Sequence, residues 1–245
     1  MNKKIGKIIS SGNKGKGIRS DCFVSLELKN EDGIDIQFES KVKVLFGKSI
    51  IELVKEILNY FEIDNTKIII EDSGALPFVI AARIEAAIKK LIDTDKEYLL
   101  ELIPENMYDT QKNCNRFSRL YLPGNSPSLM INAGIHNPNG IILDLEDSVA
   151  SEAKDQARIL LCELLKTQDF GEAALVVRIN GIHSDTDYWR ADIEACAEAF
   201  HKDNPLIIRV PKVESPEDIQ LICRELDAVE KQFELAKGAD RKSVV

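Results

Sequence analysis

RLYLPGNSPSLMINAGIHNPNGIILDLEDS, residues 119–148, is the stretch whose reading decides the fold. Its two short apolar runs, Leu120–Leu122 and Ile141–Leu145, end in Pro123-Gly124 and Glu146-Asp147, residues that do not carry a strand onward. The pattern predicts strand, crossover, strand. Successive strand residues point to opposite faces, so Ile142, Asp144 and Glu146 share one face and Leu143 and Leu145 the other. Carboxylates thus gather at the C-terminal end of the second strand, where parallel α/β sheets bind their ligands. The acids also have a plain structural reading: Asp147-Ser148, ahead of the helical SEAKDQARILLCELLKT, would cap the next helix.

Downstream, strands and helices alternate: strand 119–123, strand 140–146, helix 150–166, strand 174–180 (ALVVRIN), helix 187–200, strand 205–211 (PLIIRVP) and helix 215–234. About four β/α units in a row predict an α/β domain that is part of a (β/α)8 TIM barrel. A closed barrel has eight such units, and KGADRKSVV ends where a fifth strand would follow, so either half a barrel or a chain cut short is expected. On the third strand Arg178 shares its parity with Val176 and Asn180 and can face the barrel mouth. On the fourth, Arg209 and Lys212 have opposite parity, and both enter the mouth only with a bulge.

Upstream, residues 1–19 are rich in Gly, Lys, Asn and Ser and predict a flexible arm. From Cys22, Val24, Leu26 and Leu28 alternate with polar residues; the turn-like Asn30–Gly33 follows, then Ile34, Ile36 and Phe38, a β-hairpin pattern. The run Val42–Phe46 leads to Ser49, whose spacing to Glu52 fits a capping box. Ile50, Leu53, Val54, Ile57, Leu58 and Phe61 then recur at helical spacing. A strand at Lys67–Ile70 and a second helix bearing Leu76, Ile80, Ile84, Ala87, Ile88 and Leu91 complete an α+β domain over 1–92. Residues 93–117, polar and Pro-containing, read as a linker, and 118–245 as the α/β domain.

Composition bounds the partners. With 44% hydrophobic and 30% charged residues the chain is that of an ordinary globular protein, and a net charge of −9 argues against nucleic acid. No apolar run approaches the roughly 20 residues of a membrane helix and no signal core follows the N-terminus, so no membrane partner and a cytoplasmic location are expected. Cys22, Cys114, Cys162, Cys196 and Cys223 form no CxxC pair, and His136, His183 and His201 no ligand spacing, so neither a disulfide framework nor a zinc site is expected.

RLYLPGN, GIILDLEDSVASEAKDQAR, VVRIN and RVPKVES, in this order over about 119–225, resemble the citryl-carrier lyase β subunit of citrate lyase, of the HpcH/HpaI aldolase/citrate lyase family, and its malyl-CoA and citramalyl-CoA lyase relatives. SDCFVSLEL, VKVLFGKSI and EDSGALPFVIAARIEAAIKK resemble the acyl carrier protein, or γ subunit, of the same enzyme. The resemblance implies a carrier joined to part of a lyase that cleaves citrate to acetate and oxaloacetate. It implies a covalent phosphoribosyl-dephospho-CoA group on Ser20, next to the strand beginning at Cys22, with Ser11 the alternative. It further implies Arg178 as the residue that holds a substrate carboxylate, Arg119 and Lys212 as further substrate contacts, and Asp144 and Glu146 as acids positioning Arg178 or metal-bound water. The Mg2+ of the family takes its carboxylates from beyond the fourth strand, so its ligands are expected to be absent here. Implied partners are the α and complete β subunits, the prosthetic-group transferase, and citrate or oxaloacetate. A malyl- or citramalyl-CoA lyase relative, and a carrier or assembly polypeptide without lyase activity, are the alternatives.

Overall fold

The computed structural model describes residues 3–98, 100, 101, 103, 104, 117–184, 186–199, 206–235 and 241–244. The chain divides into two compact units, Met1–Leu100 and Glu101–Val245. The division falls within the segment expected as a linker, most of which lies outside the described residues.

The first unit is built from β1 (Ile8–Gly12), β2 (Cys22–Leu28), β3 (Ile34–Ser40), α1 (Lys43–Tyr60), β4 (Thr66–Asp72) and α2 (Pro77–Leu91), with sheet order β1-β2-β4-β3. Strand β2 alternates as its sequence demands, with Cys22, Val24, Leu26 and Leu28 buried against the helices. Helix α1 presents Ile50, Val54, Ile57 and Leu58 to the same core. Helix α2 is buried on nearly every side, including Arg83 and Glu85. A buried charge requires a partner. Arg83 forks onto Asp21, with Nε and Nη2 each 3.0 Å from a carboxylate oxygen, and Glu85 pairs with Lys89 at 3.1 Å and accepts from the Tyr98 amide at 2.9 Å.

Three expectations for this unit are corrected. The supposed flexible arm contains β1, which pairs antiparallel with β2 from Ile8↔Glu27 to Gly12↔Phe23. Its inner face is too short for a visible apolar period, and backbone pairing at the sheet edge holds it. Gly12 closes that strand at φ +85°, where a Cβ would lie 2.0 Å from the Cys22 carbonyl oxygen, so only glycine fits. Second, β2 and β3 are not a hairpin, because β4 lies between them, antiparallel to β2 and parallel to β3. Helix α1 returns the chain to the end from which β3 started, so β4 must run parallel to β3, and its buried Ile68 and Ile70 suit a central strand. The link between β2 and β3 is fastened to the start of β4 by Gly33 N–H donating to Asn65 and Thr66 N–H donating to the Gly33 carbonyl. Third, α1 starts at Lys43, so Ser49 lies inside the helix, its hydroxyl donating to the Phe46 carbonyl rather than capping.

The second unit strings β5 (Arg119–Pro123), the one-turn α3 (Pro127–Met130), β6 (Gly140–Asp144), α4 (Lys154–Thr167), β7 (Ala174–Arg178), α5 (Tyr188–Ala199), β8 (Ile207–Val210), α6 (Pro216–Gln232) and β9 (Arg241–Val244). All five strands are parallel and stand in chain order, β5-β6-β7-β8-β9. Four strand–helix units are followed by a fifth strand that the sequence did not show: a polar tail without apolar alternation still pairs its backbone with β8, Ile207↔Arg241 to Val210↔Val244. The order never reverses, unlike that of a doubly wound sheet. Right-handed crossovers then carry the helices to one face, where Leu143, Leu145, Val177, Ile179, Ile208 and Val210 are buried. The opposite face holds a smaller cluster of Ile142, Ala174, Val176 and Ile207, and beyond it, at the C-terminal strand ends, the charged residues. No described helix is long and apolar enough to cross a membrane.

Candidate functional site

The register brings Asp144, Arg178 and Arg209 side by side at the ends of β6, β7 and β8. Parity therefore turns all three to the face away from the helices. Arg178 forks onto Asp144, Nε to Oδ1 at 2.7 Å and Nη2 to Oδ2 at 2.8 Å, and its Nη1 lies 3.2 Å from Glu146 and 3.9 Å from Asp147. Asp144 also accepts from the backbone N–H groups of Glu146 at 2.9 Å and Ser148 at 3.1 Å, so the acid turn folds back on the strand's last carboxylate. Burial by itself raises the Asp144 pKa, but the hydrogen bonds from Arg178, Ser148 and Glu146 outweigh it and hold the carboxyl down to about 2. The same fork raises the pKa of Arg178. The fork uses the Nε and Nη2 edge of Arg178 and leaves outside it the Nη1 edge, which faces Glu146.

Glu146 is 6% exposed. Its two oxygens have ion-pair contacts, Arg178 at 3.2 Å and Lys212 at 2.9 Å, yet neither accepts a hydrogen bond of good geometry. Lys212 also reaches Asp147 at 3.0 Å. It does so from a left-handed backbone, φ 51°, two residues past the end of β8. That turn, rather than a bulge, lets Lys212 and Arg209 both approach the mouth, which corrects the parity argument against their doing so. Arg119 is not brought to this place: it pairs with Gly140 at the opposite end of β5, about 13 Å back along a strand.

Several members of the site were missed. Lys154 donates to the carbonyls of Leu145 and Glu146, both at 2.8 Å, and burial lowers its pKa. Tyr121 lies under the guanidinium groups of both Arg178 and Arg209, at 5.5 and 5.7 Å from its ring centre. Asn180 is held by Asp192, which also pairs with Arg158. The reading of Asp147-Ser148 as a cap is overturned, since α4 begins at Lys154 after a short 3-10 turn and has no side-chain cap. Tyr121 was legible by parity with Ile142; the partners of Lys154 depend on tertiary contacts alone.

In the first unit Ser20 is half-exposed, at φ 53°, with its N–H donating to the Ser73 carbonyl. Next to it Asp21 is buried and takes bonds from Arg83, Asn13 and its neighbour's amide, Cys22 N–H. Ser11 is 2% exposed and lies inside β1, opposite Val24. A polar cleft of about 340 Å³, lined by Lys14, Gly15, Ser40, Lys41 and Ser73 among others, opens beside the loop.

Four described cysteines are free thiols, three of them buried. No group of three or more His, Cys, Asp or Glu side chains that could hold a metal exists among the described residues. Asp144 and Glu146 already face Arg178 and Lys212, so these residues do not fit a resident Mg2+.

An unreversed parallel sheet with charged side chains at its C-terminal strand ends defines a β/α domain of the kind that carries ligand sites there. The chain belongs to the HpcH/HpaI aldolase/citrate lyase family, whose model matches residues 118–240. Residues 14–91 match the acyl-carrier-type model described as malonate decarboxylase delta subunit (MdcD). The citrate lyase subunit beta of Leuconostoc mesenteroides subsp. cremoris is 39% identical over 118 residues, 48% of this chain and 37% of that protein. A (3S)-malyl-CoA thioesterase of Cereibacter sphaeroides is 41% identical over 106 residues, 43% of this chain and 35% of that protein. The chain thus spans about a third of the length of these curated relatives. A solved structure, the citrate lyase beta subunit complexed with oxaloacetate and magnesium from M. tuberculosis, is similar over 53% of this chain and 59% of its own, at 24% identity and a TM-score of 0.35.

Proposed function

We propose that this chain is a citrate lyase component: an acyl carrier unit joined to part of a citryl-carrier lyase of (β/α)8 type. The observation that carries the reading is the adjacency of the two family matches, carrier type at 14–91 and lyase type at 118–240, in one polypeptide. The barrel reading is supported by the reach of Arg209 on β8 to Tyr121 on β5. Those strands stand three spacings apart, about 14 Å if the sheet were flat; a sheet curled with this face inside shortens the path.

In this reading Ser20 bears the phosphoribosyl-dephospho-CoA group through a phosphodiester, and the group supplies a thiol that carries acyl units as thioesters. Ser20 suits attachment because its hydroxyl stands on a half-exposed loop, while Ser11 would have to leave a paired strand. The lyase step breaks the bond between the carbinol carbon of citryl thioester and the carbon next to the thioester. The hydroxyl proton leaves to a base and the bonding electrons pass to the thioester as an enolate, which takes up a proton to become acetyl thioester. Oxaloacetate keeps two carboxylates. Arg178 holds one of them, its orientation set by Asp144 and its Nη1 edge facing Glu146; Lys212 guards the same opening. No step is assigned to Mg2+, Arg119 takes no part, and the remaining subunits and the prosthetic-group transferase are the partners.

The (3S)-malyl-CoA thioesterase relative, 41% identical over its matched span, favours a second reading in which the lyase-type unit takes malyl thioesters. The carrier alone, serving assembly without lyase activity, is the third. Mass spectrometry of peptides from the chain, co-produced with a prosthetic-group transferase, tests the main reading. The added mass should sit on the Ser20 peptide and vanish in Ser20→Ala; its persistence there with loss in Ser11→Ala would reverse the assignment, and its absence from the wild-type chain would remove the carrier role.

A further inference from the structure

Of the cations at the mouth, Arg209 is the one that no described carboxylate pairs with. Arg178 is committed to Asp144 and Glu146, Lys212 to Glu146 and Asp147, and Lys154 to two carbonyls. The guanidinium of Arg209 lies over the ring of Tyr121, and its Nε is buried without a hydrogen-bond partner among the described residues. Asp192 also faces Lys154, so Arg209 is the cation of this group left without a carboxylate among the described residues.

We propose that Arg209 is a second anion-binding residue of this mouth, taking the carboxylate of a small oxo- or hydroxy-dicarboxylate that Arg178 does not hold; the ligand class, though not the anion site, rests on the lyase reading above. Register puts Arg209 directly beside Arg178 on the neighbouring strand, with both guanidinium groups close to one aromatic ring, Tyr121. Drawing Arg178 away to meet a ligand would strip a buried Asp144 of its fork, which disfavours that exchange. Binding at Arg209 breaks no pair, supplies the missing acceptor to its donors and relieves the repulsion between two like charges on the same ring. Arg178 then orients the ligand's far end through its Nη1 edge. Arg209 sets which anions enter, and Arg178 how they lie.

Calorimetric titration of the full chain with oxaloacetate and, separately, with inorganic phosphate tests this, using wild type, Arg209→Gln, Arg209→Lys and Arg178→Lys, with fluorescence of the single Trp189 reporting that the unit remains folded. Arg209→Gln should weaken binding about tenfold or more, and Arg209→Lys, which keeps charge without the planar fork, by an intermediate factor. Oxaloacetate binding that depends on Arg209 supports both the site and the lyase reading. Phosphate binding alone, dependent on Arg209, keeps the anion site and removes the lyase reading's ligand. Unchanged affinity in Arg209→Gln with loss in Arg178→Lys overturns the proposal and leaves the lyase reading standing. Should Arg209→Gln unfold, wild-type affinity in Arg209→Lys overturns it equally, as does the absence of any binding to wild type.

Discussion

Asp144 is a carboxylate that is buried and yet ionised, a combination stable only because its partners are in place. Its pKa of about 2 lies below the roughly 3.9 of an unfolded aspartate. A depressed carboxyl contributes stability above its unfolded pKa and loses it as pH falls through the folded one. The second unit should therefore lose on the order of 2 kcal/mol between about pH 4 and pH 2. Trp189, the chain's one tryptophan, is buried in that unit and reports it selectively. Asp144→Asn should remove this acid limb and, by breaking the charged fork with Arg178, destabilise the unit by about 3 kcal/mol at pH 7. Denaturant unfolding followed by Trp189 emission at pH 7 and pH 3 measures both effects; a variant with wild-type stability at pH 7 would mean that the fork is ornamental. The DLED run was visible in the sequence as a cluster of acids, and its side of the strand followed from parity. That its charge is matched by Arg178, Lys212 and Lys154 was not visible, because those residues lie 34, 68 and 10 positions along the chain from Asp144 and meet it only through strand register and a left-handed turn.

Helix α1 shows how an element's limits decide which of its residues matter. Ile57 is fully buried between sheet and α2, whereas Val44, in the first turn, is 98% exposed. Both are apolar and β-branched, and the run Val42–Phe46 read as a separate segment because nothing in it is polar except Lys43. Since the helix already starts at Lys43, its first turn extends past the sheet and its apolar side chains have nothing to cover. Ile57→Ala should cost the first unit about 3 kcal/mol, while Val44→Ala should stay within about 0.5 kcal/mol. Chemical denaturation followed by circular dichroism separates the two; equal losses would show that the exposed first turn is packed in solution. The same logic explains β1 and β9, which carry little apolar pattern and are held by backbone pairing. Pairing energy leaves no trace in hydropathy, so strands of this kind escape a reading based on side chains.

At the scale of the molecule, two compact units in one chain imply two unfolding events. Limited proteolysis is expected to cut within 93–117 and release an N-terminal fragment that unfolds cooperatively on its own, because the hydrophobic core of the first unit is complete within it. The Trp189 signal should report a separate transition. Cleavage spread evenly along the chain, or one transition common to both probes, would contradict this.

By itself the sequence determined where most strands and helices lie, which face of each is apolar, that the second unit is a parallel α/β sheet, and that acids stand at the end of β6. These are local properties, written in periods of 2 and 3.6 residues. Tertiary structure alone decided that β4 separates β2 from β3, that the polar tail supplies a fifth strand, that Ser11 is enclosed while Ser20 is reachable, and that Arg119 stands at the wrong end of its strand. It also decided that Arg209, noted in the sequence only for its parity opposite to Lys212, stands beside Arg178 without a described carboxylate of its own. The reason is common to all of these: pairing partner, register and the balance of buried charge are relations between distant residues, and a linear pattern records only what each segment must bury, not what it will meet.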